Sequence, residues 1–205
     1  SLISQALAPY DIKVDYLVCN NGAVSVDASG QMLHCHAIPP AVLADLLDLP
    51  IIAAKDEPLL VFTAMHAYSV RPNPDMNMGL VEQIELQDVL QLQEVVQVSL
   101  KLATPVEAQL VSDDIHGRLP MLGGNINRSY LDINCSEADK GWGLMQMMES
   151  SDWKGSEILA IGDDKNDLSM IGRFGGFTMT TAKPFMQAAA VKAYDSVGQM
   201  LLEYL

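Results

Sequence analysis

Residues 158–168 constrain the fold more than any other part of this 205-residue chain. A short apolar run, residues 158–161, is followed by Gly162, an acidic cluster and then apolar Leu168. This order predicts a buried strand, a tight turn and the start of a helix. In open α/β sheets such a turn lies at the carboxyl end of a strand, where ligands bind. The sequence therefore predicts a parallel α/β sheet with a polar site at this turn.

Two carboxylates in this turn are candidate metal ligands. Asp163 follows the strand and Asp167 lies one helical turn further along, so both carboxylates can face one point. Oxygen ligands that converge at the end of a strand suit Mg²⁺ and a bound phosphate. The alternative is an acidic turn in which Asn166 or Asp167 only caps the helix.

Three motifs in this order resemble those of a known enzyme family. Gly162-Asp163-x-x-Asn166-Asp167, followed by Met170, is preceded by Lys140-Gly141 and, near the start, by Asn20-Asn21-Gly22-Ala23. Together they resemble the haloacid dehalogenase-like (HAD) hydrolase superfamily, and within it the Cof-type sugar-phosphate phosphatases. The resemblance covers nearly the whole chain. It implies a Rossmann-like parallel-sheet core with an inserted α+β cap domain.

The resemblance also implies a reaction and roles for particular residues. Family members hydrolyse phosphate monoesters with Mg²⁺ through an aspartyl-phosphate. By analogy, Asp163 and Asn166 are metal ligands, and Lys140 is a catalytic and substrate-binding residue that clamps the phosphate. Asp167 is a catalytic residue that completes the metal shell or orients Lys140. Asn20 and Asn21 are substrate-binding residues at the hinge.

The first two family motifs, Asp-x-Asp-Gly-Thr with the nucleophile and a Ser or Thr on the next strand, have no counterpart before Asn20. The predicted core is therefore incomplete. Three explanations remain open: the chain is a fragment, a second copy completes the core in a homodimer, or the strand after Asp15 pairs directly with residues 158–161. The functional alternative to a phosphatase is a non-catalytic remnant that binds a phosphorylated ligand or a protein.

Composition and charge exclude several classes of binding partner. The formal net charge of −14 repels nucleic acid and anionic membrane surfaces, so the expected partner is a small phosphorylated substrate. No apolar run approaches the roughly 18–20 residues of a membrane span, and the first residues do not resemble a signal peptide. The 3 cysteines, an odd number, favour a reducing cytoplasm over a disulfide scaffold.

The order of elements predicts a discontinuous core, residues 1–23 and 135–205, and a cap, residues 24–134. In the cap we expect a hairpin over residues 24–38, a helix from Pro40 to Leu49 and a helix over residues 105–112. The remaining predicted cap strands are residues 51–54, 59–64, 95–102 and 131–134. Residues 2–10 resemble the end of a helix, and residues 71–79 a loop rich in Pro, Asn and Met.

Two histidines in the hairpin raise a second metal hypothesis. His34 and His36 lie on one strand face, with Cys35 on the other. A metal site needs a third ligand that the sequence does not offer. A solvated strand face is therefore the favoured interpretation.

Overall fold

A computed structural model describes residues 8–53, 56–72, 81–151, 153 and 158–204. The predicted helix end at residues 2–10 and the loop at residues 71–79 fall mostly outside this part of the chain. The strands are β1 Tyr16–Cys19, β2 Val24–Asp27, β3 Met32–Cys35, β4 Leu59–Thr63, β5 Ala67–Arg71, β6 Glu82–Gln83, β7 Val95–Lys101, β8 Leu122–Asn127, β9 Tyr130–Cys135, β10 Ile161–Gly162, β11 Phe177–Met179 and β12 Ala193–Tyr194. The α-helices are α1 Pro40–Leu47, α2 Pro50–Ala53, α3 Pro105–Arg118, α4 Lys140–Glu149, α5 Leu168–Phe174, α6 Pro184–Ala189 and α7 Val197–Tyr204.

The described strands form three sheets. The largest has six strands in the order β6-β5-β4-β7-β9-β8, antiparallel except for β5 and β6. Strands β10, β11 and β12 form a parallel sheet, and β1, β2 and β3 an antiparallel one. This is the mixed α/β architecture expected from the sequence, with a parallel core sheet and an α+β cap.

Several local predictions are confirmed because periodicity and turn residues agree. The hairpin of β2 and β3 turns at Asp27, whose carboxylate accepts from the Ser29 and Gln31 N–H groups. The strand-turn-helix unit at residues 158–168 appears as β10, a 3₁₀ turn and α5. Gly175 caps the C-terminus of α5 with a φ of 60°.

Other elements differ from the prediction. Residues 51–54 were predicted as a strand, but Pro50 starts a short helix, α2, because proline is favoured at the first helical turn. The helix predicted for residues 105–112 continues to Arg118. Strands β5 and β8 were missed, and β8 contains two glycines and two asparagines that weaken a strand pattern.

The strand after Asp15, β1, pairs with β2 and not with β10 in the described residues. Direct pairing with residues 158–161, one of the three explanations for the incomplete core, is therefore wrong. The turn between β1 and β2 closes an antiparallel hairpin, as its Asn-Gly sequence alone favours. The predicted boundary between core and cap, at residues 23 and 24, falls inside this hairpin, and the division into domains stays a prediction.

The larger hydrophobic core lies on one face of the six-stranded sheet, against α1 and α3. A smaller cluster of Phe177, Tyr194 and Met200 packs beside the parallel sheet. No helix in the described part of the chain is both long and apolar enough to cross a bilayer. The three cysteines are free, and burial with a smaller effect of Glu94 raises the pKa of Cys35 to about 11.

A close backbone contact joins α4 to the turn between β1 and β2. A Cβ atom on Gly143 would lie 2.5 Å from the Gly22 Cα and 2.8 Å from the Val18 Cγ1. Gly22 has a φ of 105°, and its own Cβ would overlap the Asp139 carbonyl. Only glycine at both positions lets the helix approach the turn this closely.

His34 and His36 flank an aromatic side chain. Their rings meet the Trp142 ring edge to face at centroid distances of 4.7 and 4.9 Å. A solvated strand face is therefore wrong, since the two side chains cover the first turn of α4. The described residues contain no group of three or more His, Cys, Asp and Glu that could hold a metal. The His34 Nε2 atom is buried and has no hydrogen-bond partner among the residues that the structure describes.

We expect Gly143→Ala to lower the free energy of unfolding by about 1–3 kcal/mol, because the added methyl group overpacks the contact with Gly22. The control is Gly172→Ala, in helix α5, where a Cβ meets nothing within 4 Å. That substitution should stabilise by up to about 1 kcal/mol through helix propensity. Urea unfolding measures both. Equal effects would contradict the close contact.

We also expect stability to fall at acidic pH through His34. Burial, with a smaller effect of His36, lowers the pKa of His34 below its ordinary 6.5. The unfolded chain therefore binds the proton on His34 more tightly than the folded chain does. The contribution of neutral His34 to the free energy of unfolding is complete above pH 6.5 and is lost as the pH falls through the folded-state pKa. His34→Phe keeps the ring on Trp142 without titrating. When the pH is lowered from 8 to 5, the melting temperature of this variant should fall less than that of the unsubstituted chain. An equal fall in both proteins would contradict the role of His34.

Candidate functional site at the β10 turn

The turn after β10 is held by hydrogen bonds among its own residues. The Asp164 carboxylate accepts from the Lys165 N–H at 2.8 Å, and the Asp167 N–H donates to the Asp164 carbonyl at 2.9 Å. Asp167 reciprocates by accepting from the Asp164 N–H at 3.1 Å, which completes a capping box. Asp164 therefore caps the 3₁₀ turn, and Asp167 stands at the N-cap position of α5, as the alternative allowed, but its side chain makes no capping hydrogen bond to that helix.

The Asp167 carboxylate is buried and fully used. Its Oδ2 atom accepts from the N–H groups of Asp163 and Asp164 at 3.0 and 3.1 Å. Its Oδ1 atom accepts from the Lys140 Nζ at 2.5 Å. Only 9% of the Asp167 side chain is exposed, so these partners replace the water that a carboxylate otherwise needs. The carboxylate thus fixes both the loop and the ammonium group.

Lys140 is placed by helix α4. Asp139 caps this helix by accepting from the Trp142 N–H at 2.7 Å, so Lys140 is the first helical residue. Gly141 lies against α5, where a Cβ would come within 2.7 Å of the Ser169 carbonyl. The Lys140-Gly141 pair therefore combines a cation with the small residue that brings its helix next to the loop.

Gly162 provides the space for Asp167. A Cβ atom on Gly162 would overlap the Asp167 side chain. The Gly162 carbonyl accepts from the buried Thr178 hydroxyl on β11 at 2.7 Å. The end of β10 is thus tied to its parallel neighbour, and the loop leaves the sheet in a defined direction.

The loop, Lys140 and the cap sheet border a cavity of about 440 Å³. The predicted residues Lys140, Asp163, Asn166 and Asp167 all line it. The structure therefore brings together four of the six predicted site residues. The cap contributes residues at the end of β8, and the rest of the lining follows β11. The additional lining residues are Ile126, Asn127, Asp164, Thr181, Ala182 and Lys183.

Asp163 and Asn166 have oxygen atoms available for a cation. Asp163 is exposed, and no described residue donates a hydrogen bond to its carboxylate. The Asn166 Nδ2 atom donates to the Asn21 Oδ1 at 3.3 Å, which leaves the Asn166 Oδ1 without that partner. One carboxylate and one amide oxygen in an open cavity fit Mg²⁺, which keeps several waters and is shared with substrate phosphate.

Asn20 and Asn21 do not line this cavity. The Asn20 Nδ2 atom donates to the Gln97 Oε1 at 3.4 Å, and the Asn21 Nδ2 atom donates to the Asn134 Oδ1 at 3.2 Å. Both side chains thus contact the six-stranded sheet of the cap. Their predicted role in substrate binding stays a prediction.

A polar cluster on β7 and β9 continues this network. The Gln97 Nε2 atom donates to the Ser99 Oγ at 2.8 Å, which donates to the Asp132 carboxylate at 2.6 Å. Burial raises the pKa of Asp132, opposed by its hydrogen bonds from Ser99 and Asn21. The cap face next to the site is therefore polar and internally hydrogen-bonded.

Lys183 and Thr181 were not among the six predicted site residues. They follow β11, the parallel neighbour of β10, so their loop opens at the same edge of the sheet. The Lys183 Nζ atom lies 3.5 Å from the Asp164 carboxylate. Strand order could have indicated them, whereas Asn127 reaches the cavity only through the position of the cap.

Comparison with known proteins gives a consistent result. A family model described as haloacid dehalogenase-like hydrolase matches residues 1–199. Among solved structures, a sugar phosphatase of HAD subclass IIB has a TM-score of 0.79 at 18% identity, over 98% of this chain and 79% of that chain. A protein from Thermotoga maritima has a TM-score of 0.77 at 21% identity, over 100% of this chain and 81% of that chain. A HAD phosphatase from Bacteroides thetaiotaomicron has a TM-score of 0.74 at 20% identity, over 97% of this chain and 76% of that chain. No curated protein sequence matches this chain.

We expect the Lys140–Asp167 pair to stabilise the fold more than the Lys183–Asp164 pair. The first is 2.5 Å long with side chains 34% and 9% exposed, and the second is 3.5 Å long with side chains 68% and 46% exposed. A double-mutant cycle with Lys140→Met and Asp167→Asn should give a coupling energy of about 2 kcal/mol. The matched cycle with Lys183→Met and Asp164→Asn should give less than about 0.5 kcal/mol. Similar coupling energies would show that burial of Asp167 does not matter.

Proposed function

The chain belongs to the haloacid dehalogenase-like hydrolase family, and we propose that it is a Mg²⁺-dependent phosphate-monoester hydrolase that acts on a small phosphorylated metabolite such as a sugar phosphate. The proposal rests on one observation above all. An ammonium group, Lys140, is held 2.5 Å from the Asp167 carboxylate, on the same cavity as the oxygen ligands Asp163 and Asn166. The residues that we propose to bind the cation and the residue that we propose to bind the phosphate thus line one cavity.

Lys140 would bind the phosphate through its remaining N–H donors. Asp167 accepts one hydrogen bond from the ammonium group and so fixes its position, while 34% of the Lys140 side chain stays exposed. A positioned ammonium at a helix N-terminus stabilises negative charge that develops on phosphate oxygens. Asp167 is then a positioning residue, because its own oxygen atoms are already occupied.

Asp163 and Asn166 would hold the Mg²⁺. When bound, the ion polarises the phosphate and neutralises its charge. The described residues contain no group of three or more His, Cys, Asp and Glu around a common centre. The Asp163 carboxylate and the Asn166 amide oxygen suit a partly hydrated Mg²⁺ rather than a fully enclosed metal.

Polar residues that line the same cavity as Lys140 are suited to a hydroxylated leaving group. Asn127, Thr181 and Lys183 line the cavity from the cap and from the loop after β11. Amide, hydroxyl and ammonium groups can hydrogen-bond sugar hydroxyls. The sugar phosphatase of similar fold supports this substrate class.

A second function, binding of a phosphorylated ligand or a protein without turnover, is favoured by one observation. Two of the three carboxylates that line the described cavity are already engaged, since Asp167 holds Lys140 and Asp164 caps the loop, and the third, Asp163, is the proposed ligand of Mg²⁺. The 205 residues contain no Asp-x-Asp motif. A second copy of the chain that supplies strands and a carboxylate in a homodimer stays a prediction.

Binding and turnover are separable experimentally. By calorimetry we expect the unsubstituted chain to bind Mg²⁺, and to bind inorganic phosphate only when Mg²⁺ is present. Lys140→Met should weaken phosphate binding about 10-fold or more while Mg²⁺ still binds, because the charge-assisted hydrogen bond is lost. Asp163→Ala should weaken Mg²⁺ binding. Lys165→Met, on the same loop but outside the cavity lining, is the matched control and should change neither.

The hydrolysis arm uses release of phosphate from an aryl phosphate with and without Mg²⁺. Release that disappears in Asp163→Ala supports the phosphatase. Binding of Mg²⁺ and phosphate without release supports the non-catalytic alternative. A chain that binds neither ligand would contradict both the phosphatase and the binding of a phosphorylated ligand.

A further inference from the structure

Three asparagine side chains form a chain of hydrogen bonds from the cap sheet to the candidate metal loop. Asn134, near the end of β9, accepts from the Asn21 Nδ2 at 3.2 Å. Asn21 in turn accepts from the Asn166 Nδ2 at 3.3 Å. Each amide thus donates to the next one towards the cap, and we call these three residues the amide relay.

Backbone carbonyls fix the direction of the relay at its far end. The Asn134 Nδ2 atom donates to the Val96 carbonyl at 2.9 Å and to the Asn20 carbonyl at 3.2 Å. A carbonyl oxygen only accepts, so the amino group of Asn134 must face it. Asn134 is also 1% exposed, so a reversed amide would leave buried groups unsatisfied. Its oxygen is therefore presented to Asn21.

The Asn134 oxygen fixes the middle of the relay. It accepts from the Asn21 Nδ2 at 3.2 Å. An amide oxygen only accepts, so the amino group of Asn21 must point towards it. The Asn21 oxygen then faces Asn166 and can only accept a hydrogen bond from its amino group.

The orientation of Asn166 follows from the other two amides. Its amino group is engaged by Asn21, and its oxygen is the atom left for the cavity that it shares with Asp163. An amide oxygen coordinates a hard cation, and an amide nitrogen does not. We propose that Asn134 and Asn21 are positioning residues that orient the Asn166 amide so that its oxygen faces the bound cation. This inference rests on the proposed Mg²⁺ site.

The test is a double-mutant cycle on Mg²⁺ affinity, measured by calorimetry with the full 205-residue chain. Asn134→Leu removes the acceptor of Asn21, so Asn21 and Asn166 are free to reverse. We expect Mg²⁺ affinity to fall about 10-fold, the lower end of what loss of such a supporting contact costs a metal site. In an Asn166→Asp background the two oxygens of the ligand are equivalent. There Asn134→Leu should not weaken Mg²⁺ binding.

This cycle separates orientation from general support of the fold. An equal loss of affinity in both backgrounds would mean that Asn134 only supports the loop, and would overturn the inference. Unchanged affinity in Asn134→Leu would overturn it as well, with the proposed Mg²⁺ site intact. Absence of Mg²⁺ binding by the unsubstituted chain would overturn the proposed function and the inference together.

A second variant keeps the test decisive if Asn134→Leu does not fold. Asn21→Gly removes the middle amide and suits the φ of 54° at this position. We expect the same loss of about 10-fold in Mg²⁺ affinity, again absent in the Asn166→Asp background. Loss in that background too would count against the relay.

Discussion

The buried Asp167 carboxylate ties together the parts of the structure on which the site depends. An ionised carboxylate removed from water is costly unless each oxygen finds donors. Here the donors come from the loop backbone and from Lys140 at the start of α4. The loop, the end of β10 and α4 must therefore be correctly placed at once for this charge to be tolerated. Gly162 belongs to the same requirement, since any larger residue would occupy the space of the carboxylate.

A second constraint lies at the turn between β1 and β2, where backbone conformation is unusual. Asn20, Asn21 and Gly22 have φ angles of 50°, 54° and 105°. Asparagine tolerates this left-handed region better than most residues, but at some cost. The cost is offset by hydrogen bonds from this turn to the cap and to Asn166, and by the close packing of Gly143. The turn thus connects the cap sheet, α4 and the metal loop.

The sequence was informative where chemistry and chain order coincide. The unit of β10, turn and α5 was predicted from an apolar run, a glycine and an acidic cluster, and the convergence of Lys140 with Asp163 followed from motif order. Helix α2 was mistaken for a strand because four apolar residues fit either structure. The contact of Asn127 with the cavity was not predictable, because it depends on how distant elements pack. The amide directions are equally hidden, since they are decided by the carbonyl of Val96.

Charge explains why the cavity needs a cation before it suits an anion. The chain carries a formal net charge of −14, and the cavity itself is lined by Asp163, Asp164 and Asp167. Lys140 lies beside the Asp167 carboxylate and Lys183 beside the Asp164 carboxylate. The positive charge of each lysine is therefore largely compensated. A phosphate dianion approaching this surface is repelled unless a divalent ion reverses the local sign. Under the proposed function, we therefore expect Mg²⁺ to bind first at Asp163 and Asn166, and the substrate phosphate to bind second between that ion and Lys140.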